Sequence, residues 1–249
     1  MSKKSPIKFP VKPPGQAKVW NVIEYVKKNS KEPPVKIFIQ EIPEDRYEEI
    51  LDHMGTYFLA DEPICKSMNG VDDSEYVANF RSLWKDILHQ GLSVGAFAED
   101  PNGGKPIVAG CNVLGLSFEG EHEEFEHFKT EKGKRITRIL NELCKEAGVY
   151  KKYGVDRYLS AIGLSVDPSY RGAALGAHIL NAREKIGKEY NIPVTATMFT
   201  SPISQKLSER CGFEVLLVRN YEDVLDEDGT PMFPGIQAKL VTVSAKRLF

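Results

Sequence analysis

Apolar positions along the chain recur sometimes every second residue and sometimes every third or fourth, which marks strands and helices in mixed order. Two β-prone runs, Ala17 to Val26 and Val35 to Ile42, flank the polar stretch KKNSKEPP and predict a hairpin. Pro43 then opens PEDRYEEILDHMGTYFLADEP, where Tyr47, Ile50, Leu51, Met54 and Phe58 recur at helical spacing behind acidic first-turn residues. A second helix is predicted from the capping candidates Asp72, Asp73 and Ser74 to Gly91, with Tyr76, Val77, Phe80, Leu83, Trp84, Ile87 and Leu88 as its stripe. LSVGAFAED and KPIVAGCNVLGLSF, joined by Pro101-Asn102-Gly103-Gly104, predict a second hairpin.

A long polar excursion follows, in which Ile136, Ile139, Leu140, Leu143 and Ala147 mark another amphipathic helix and the acidic run GEHEEFEHF reads as a solvated loop. RYLSAIGLSV then predicts a strand, DPSYRGAALG a turn of small residues, and Leu175, Ile179, Ala182 and Ile186 a helix. Ile192 to Phe199 reads as a strand, and Ser201-Pro202 starts a short helix with Ile203, Leu207 and Cys211 turned inward and Gly212 at its end. Phe213 to Val218 and Ile236 to Val243 complete the sheet, with EDVLDEDGTPMFPG as a loop between them. No repeat or linker divides the chain, so the expectation is one α/β domain over residues 16–249. Before it, Pro6, Pro10, Pro13 and Pro14 deny residues 1–15 a helix or a ladder and leave a flexible, basic, proline-rich tail.

Composition narrows the class. With 249 residues, 41% of them hydrophobic, the chain can bury a substantial core. No apolar run approaches the roughly 18–20 residues of a membrane span, and the N-terminus lacks the apolar heart of a signal peptide, so a cytoplasmic protein with no membrane partner is expected. A net charge of −2 gives no general pull toward nucleic acid, and no nucleic-acid partner is expected. Cys65, Cys111, Cys144 and Cys211 form no C-x-x-C and the five histidines no H-x-x-x-H, which points to reduced thiols and no metal. Nothing in the pattern fixes an oligomeric state.

The most informative stretch is LSVDPSYRGAALGA, residues 164–177. A strand that ends in a turn of small residues and passes at once into a helix leaves several main-chain N–H groups aimed at one place, backed by the positive end of the helix dipole. Gly172, Ala173, Ala174, Gly176 and Ala177 let a phosphate approach the main chain, and Arg171 adds charge. Neither G-x-G-x-x-G nor a P-loop is present. The residues alone leave two readings open, an anion site or a tight turn whose small side chains merely pack.

VDPSYRGAALG resembles the acetyl-CoA pyrophosphate loop of the GCN5-related N-acetyltransferases, whose pattern is Arg or Gln, two residues, Gly, one residue, then Gly or Ala. Arg171, Ala174 and Gly176 take those positions, with Ala174 where the family has Gly, a change that keeps the side chain small but restricts φ. The order of elements is similar to the family from Val35 to the C-terminus, and FLADEPICKS, LSVDPSYRG and TSPISQKLSERCGF together resemble its insect arylalkylamine N-acetyltransferase branch. The resemblance implies a mixed, mostly antiparallel sheet flanked by helices, with a central splay between two parallel strands, here Leu159 to Val166 and Val194 to Phe199. It implies acetyl-CoA as co-substrate, held by Leu164, Ser165 and Val166 of the splayed strand and by Arg171 to Ala177, Leu175 included. A main-chain N–H near Ile162 to Leu164 would face the thioester oxygen.

The same resemblance assigns catalysis. Glu62, in Asp61-Glu62-Pro63, matches the branch's catalytic carboxylate, although by composition alone it is one more surface acid. An alkylammonium near pKa 10 and a carboxylate near 4 are mismatched in water, so the role requires partial desolvation. Ser204 and Thr200 match active-site hydroxyls of the branch that would relay a proton or serve the departing thiolate, while helix capping alone accounts for at least one hydroxyl in this segment. The implied acceptor is a small primary amine, foremost an arylalkylamine such as dopamine, tyramine, octopamine or serotonin. Agmatine or a polyamine, and an acyl-CoA-binding module without catalysis, remain the alternatives. Trp84, His178, Cys111 and Cys211 read as structural, with no acyl-cysteine expected.

Overall fold

A computed structural model of the chain describes residues 15–26, 33–120, 128–172, 174–226 and 228–249. An eight-stranded sheet runs in the order β1-β2-β3-β4-β5-β6-β8-β7, built from β1 (Val19–Tyr25), β2 (Val35–Glu41), β3 (Val94–Ala98), β4 (Ile107–Phe118), β5 (Arg157–Val166), β6 (Val194–Phe199), β7 (Glu214–Asn220) and β8 (Leu240–Arg247). Every neighbouring pair is antiparallel except β5 and β6. The two expected hairpins are present as β1–β2 and β3–β4. The tail lies outside the described residues except for Gly15, and so do residues 121–127 of the acidic run.

Helices cover both faces. On one lie α1 (Tyr47–His53), the short α2 (Pro63–Ser67) and α3 (Ser74–Leu88), and on the other α6 (Leu175–Glu189). The remaining helices are α4 (Glu131–Glu146), α5 (Val149–Tyr153) and α7 (Pro202–Arg210). Helix α3 starts where Asp73 accepts hydrogen bonds from the Glu75 and Tyr76 amides at 3.0 Å, which satisfies two of the donors that a helix start leaves over. Its stripe buries Leu83, Trp84, Ile87 and Leu88 against Tyr47, Ile50, Leu51 and Met54 of the first helical stretch and Cys111 and Val113 of β4. Each such side chain contributes roughly 1.5–3 kcal/mol on leaving water. Opposite, Leu175, Ile179, Ala182 and Ile186 of α6 pack on Ala96, Leu114 and Leu159.

Three details differ from the pattern. Helix α1 does not run on regularly but passes through a π-helical turn, Met54–Phe58, before Leu59–Asp61, a widening that hydrophobic spacing does not reveal. Ile203 is 83% exposed rather than inward, because it follows Pro202 in the first turn of α7 and that turn projects beyond the sheet. The last strand begins at Leu240, not Ile236, whose side chain packs instead in a separate apolar cluster with Ile64, Tyr221 and Phe233. Cys65, Cys111 and Cys211 are free, buried thiols whose pKa values are raised, chiefly by burial. No helix among the described residues is long and apolar enough to cross a membrane.

His53, at the end of α1, is buried, donates to the Ser165 carbonyl of β5 and faces Asp167, Arg171 and the Tyr57 ring. Burial outweighs the Asp167 charge and lowers its pKa to about 4. Between pH 6.5 and about 4 the unfolded chain therefore binds the proton that the folded chain refuses, and stability falls as the pH falls through that window. In His53→Asn, which keeps an amide donor but does not titrate, thermal unfolding should lose on the order of 2–3 kcal/mol less than in the parent over the same window. Parallel stability curves for the two proteins would refute this.

Candidate active site

The sheet opens at one place. The parallel strands β5 and β6 share a single rung, Leu159 opposite Thr195, although β5 continues to Val166 and β6 to Phe199. Residues 161–164 are consequently only half-buried in mid-sheet, while the facing residues 110–114 of β4 are buried. On the other side the β4–β5 register slips between the pairs Asn112–Leu164 and Leu114–Ala161, so β5 carries one residue more than its partner there. The bulge falls at Ile162 and Gly163, with Gly163 at φ +109°, a conformation that L side chains rarely adopt. A Cβ at Gly163 would also fall 2.5 Å from Met54 Cε and 3.0 Å from the Phe58 ring. Both bulge carbonyls are held by side chains: Trp84 Nε1 donates to Ile162 O at 2.9 Å, and Asn112 Nδ2 donates to Gly163 O at 2.7 Å.

Where β5 ends, Asp167 caps the 3-10 turn Pro168–Tyr170 by accepting from the Ser169 amide at 2.7 Å and its hydroxyl at 2.6 Å. Burial pushes the Asp167 pKa up, but these bonds, one from Tyr57 and the His53 charge outweigh it and hold it low. Arg171 is exposed, donating through Nε to Val166 O at 3.0 Å and pairing through Nη2 with Asp61 at 2.5 Å. The chain then turns through Gly172 at φ +95° and Ala174 at φ +57° into α6, whose first two amides, Leu175 and Gly176, precede the first bonds back to Ala174 O, from Ala177 and His178. Ala173 lies outside the described residues.

The turn's small residues are not demanded by packing. A Cβ at Gly172 would meet nothing within 4 Å, and one at Gly176 would make only ordinary contacts, 3.4 Å to Leu207 and 3.8 Å to Leu164. Gly172 therefore faces open space, and its φ of +95° calls for glycine, whereas Gly176 lies in ordinary contact with its neighbours.

Glu62 follows the π-helical stretch, bonded through its amide to Phe58 O at 2.9 Å, and caps α2 by accepting the Cys65 amide on Oε2 at 2.7 Å. Its other oxygen, Oε1, is buried with no hydrogen-bond partner among the described residues. The Glu62 charge reaches Cys65, Tyr76 and Tyr221, whose pKa values burial raises first and this carboxylate raises further. Tyr221 in turn donates to Thr200 O at 3.1 Å. Residues 58–62 therefore bridge the opening: Phe58 lies on the bulge, Asp61 on Arg171, and Glu62 beside the tyrosine that holds the end of β6.

Thr200 is half-buried at that end, directly after β6. Ser204 sits at the third position of α7 and forms a capping box with Ser201, its amide donating to Ser201 Oγ at 3.1 Å and its hydroxyl accepting from the Ser201 amide at 3.2 Å. The Ser204 hydroxyl also donates to Ser201 O at 2.9 Å, so in this arrangement it serves the helix start. The structure thus brings Glu62, Thr200, Leu164 to Val166, Arg171, Gly172 and Ala174 to Ala177 around one opening, and ties Ser204 to the cap beside it. Tyr221 and Asp61 were not legible as site residues, because each acts through a partner remote in sequence.

No family profile and no curated protein sequence matches the chain. Solved structures do. A protein of the yellow fever mosquito named arylalkylamine N-acetyltransferase 7 is 27% identical, with a TM-score of 0.83 over 94% of this chain and 96% of its own. Arylalkylamine N-acetyltransferase 2 from Aedes aegypti is 23% identical at a TM-score of 0.74, over 86% and 99%. The Drosophila melanogaster polyamine N-acetyltransferase is 18% identical at 0.73, over 85% and 99%. The mixed sheet with its single parallel pair and opened centre is the fold of the GCN5-related N-acetyltransferase superfamily. The chain has the fold of that superfamily, and at 27% identity it is similar to a structure named for the insect arylalkylamine N-acetyltransferases.

Ala174 occupies left-handed space at a cost of roughly 1–2 kcal/mol that glycine does not bear. Ala174→Gly, less the added freedom of its unfolded chain, should raise stability by about 0.5–1 kcal/mol, read as a melting temperature higher by about 1–3 °C. An unchanged or lower melting temperature would contradict the left-handed assignment.

Proposed function

We propose that the protein is an acetyl-CoA-dependent N-acetyltransferase whose acceptor is a small primary arylalkylamine such as dopamine, tyramine, octopamine or serotonin. The observation that carries the proposal is the buried Oε1 of Glu62, without a hydrogen-bond partner among the described residues, one helical turn from the Phe58 ring that packs on the β5 bulge. A buried carboxylate oxygen with no donor is costly, and an ammonium N–H, or a water bound to one, is the group it lacks. The open space beside Gly172, at the turn that leads into α6, supports a diphosphate at the α6 N-terminus. Main-chain groups of Leu164, Ser165 and Val166, on the side of β5 that β6 does not pair, suit the amide-bearing arm of the carrier. Leu175, Ala173, Ala174 and Ala177 complete the proposed cradle with Arg171.

In the proposed reaction the amine nitrogen attacks the thioester carbon while both are held together. The new C–N bond forms, the C–S bond breaks, the amine proton passes to Glu62, and CoA leaves as thiolate to be protonated to thiol. Main-chain N–H groups at the Ile162–Leu164 bulge are positioned to meet the developing oxyanion. Thr200 and Ser204 are the proposed hydroxyls for the leaving sulfur, Ser204 by exchanging its cap bond, since hydrogen bonds of unliganded sites tighten or switch on binding. Tyr76 and Tyr221 lie close enough for the Glu62 charge to reach them, and aromatic rings near the proposed base favour an arylalkylamine over a second cationic group.

Purified protein mixed with acetyl-CoA and a panel of amines should release free thiol with tyramine, dopamine, octopamine or serotonin and less with agmatine at equal concentration. Glu62→Ala should lower turnover by about 100-fold or more while acetyl-CoA affinity, measured by calorimetry, changes little. Faster turnover of agmatine would reassign the acceptor. CoA binding without thiol release from any amine would leave a binding module and remove the catalytic reading.

A further inference from the structure

Arg183 of α6 is 1% exposed and pairs with no carboxylate among the described residues. Burial pushes its pKa down to about 9, still well above neutral, so a guanidinium cation sits in the middle of the fold at pH 7. Such a group is expensive to bury, and chains rarely keep one that a leucine could replace. Its hydrogen bonds show what it holds. Nε donates to Asn112 Oδ1 at 2.9 Å, and Nη1 donates to Thr195 Oγ1 at 3.1 Å and Thr197 Oγ1 at 2.7 Å, while the Phe213 ring lies 5.8 Å from its Cζ. One side chain therefore spans from β4 to β6, passing across β5 where the two parallel strands diverge.

Each of its partners continues into the opening. Asn112 cannot rotate, because Arg183 fixes its oxygen, and its nitrogen then donates to Gly163 O at 2.7 Å. Thr195 donates to Leu159 O at 2.7 Å, which reinforces the only rung that β5 and β6 share. From the opposite face Trp84 holds the neighbouring Ile162 carbonyl. A peptide plane whose carbonyl is fixed has its N–H fixed too, since the two groups belong to one rigid unit. Fixing Gly163 O sets the direction of the Leu164 N–H, and fixing Ile162 O sets that of the Gly163 N–H.

We propose that Arg183 is a positioning residue for acyl transfer: through Asn112 it locks the Gly163–Leu164 peptide so that its N–H is aimed at the reacting carbonyl, and through Thr195 it keeps the strand pair open beyond the shared rung. The inference rests on the acetyltransferase reading and deepens it. It separates Arg183 from Arg171, whose exposed guanidinium serves the anion end of the same cleft. Because the oxyanion exists only after attack begins, a donor aimed by this network lowers the barrier more than it tightens ground-state binding.

Asn112→Ala, Arg183→Met and Arg183→Lys are compared with the parent by steady-state thiol release, by calorimetric binding of CoA and by thermal unfolding. Asn112→Ala should lower kcat by about 10- to 100-fold with the KM for acetyl-CoA within about threefold of the parent. Arg183→Met should do the same, and the double variant should be no slower than Asn112→Ala alone, because the two residues act as one unit. Arg183→Lys keeps the charge but not the fork that reaches three partners, and should fall with Arg183→Met. If the Arg183 variants do not fold, Asn112→Ser, which removes only the amide, carries the kcat comparison. An unchanged kcat, a loss confined to KM, or full rescue by lysine in an active parent enzyme overturns the role of Arg183 alone. A parent that releases no thiol with any amine overturns this role together with the acetyltransferase reading.

Discussion

Everything distinctive in this molecule depends on two parallel strands that are held side by side at one end and kept from pairing at the other. In an ordinary sheet the inner edge of β5 would give its N–H and C=O groups to β6. Here the shared rung at Leu159 and Thr195 is followed by divergence, so β5 has main-chain groups unspent in the centre of an eight-stranded sheet. The bulge at Ile162 and Gly163 adds one residue to β5 and turns its backbone out of register with β4 as well. Side chains take the place of the missing ladder at several β5 carbonyls: Thr195 at Leu159, Trp84 at Ile162, Asn112 at Gly163, His53 at Ser165 and Arg171 at Val166. The connection between β5 and β6 is helix α6, so the amides that open α6 stand at the carboxyl end of β5. Crevices at the carboxyl ends of parallel strands bind ligands for this reason: strand edge, turn and helix dipole converge there.

The second constraint is what brings a carboxylate to that crevice. Residues 54–62 contribute three consecutive fixings: Met54 and Phe58 against the bulge glycine, Asp61 on Arg171, and Glu62 between Cys65 and Tyr221. Gly163 is the hinge of this arrangement, because a β-carbon there would push against the helix that carries Glu62. The π-helical turn has the same consequence from the helix side, widening α1 just where it crosses β5. The Asp61–Arg171 pair, exposed and worth little in stability, links the turn of Glu62 to the turn that precedes α6.

Much of this was legible in the sequence and some was not, for physical reasons. Period-two and period-3.6 patterns found both hairpins, α3, α4 and α6, because each buries one continuous face. The turn at Arg171 to Gly176 is visible from its small residues, whereas the open space beside Gly172 is visible only once the chain is folded. Ile203 was read inward from its apolar character, whereas a side chain in the first turn of α7 is placed by the Ser201 cap and Pro202 and not by hydrophobicity. The bulge left no periodic trace beyond a glycine, and Tyr221 reaches Thr200 from a 3-10 turn that no local pattern joins to β6. Arg183 did leave a signal, a charge inside the apolar stripe of Ile179, Ala182 and Ile186, but its meaning required knowing that Asn112 stood opposite.

That buried cation also sharpens how stability and activity are partitioned here. A well-packed apolar residue in place of Arg183 would avoid a desolvation cost of several kcal/mol, and by stability alone it is the better choice. It would leave Asn112 Oδ1 and the hydroxyls of Thr195 and Thr197 without their donor, free to turn in search of others. The Gly163 peptide, bent into a conformation that L residues rarely adopt, has no ladder partner to restrain it once Asn112 moves. A fold that opens its own sheet must replace the lost ladder by side-chain bonds from both faces, and a planar fork with five donors can span three strands where no neutral side chain can.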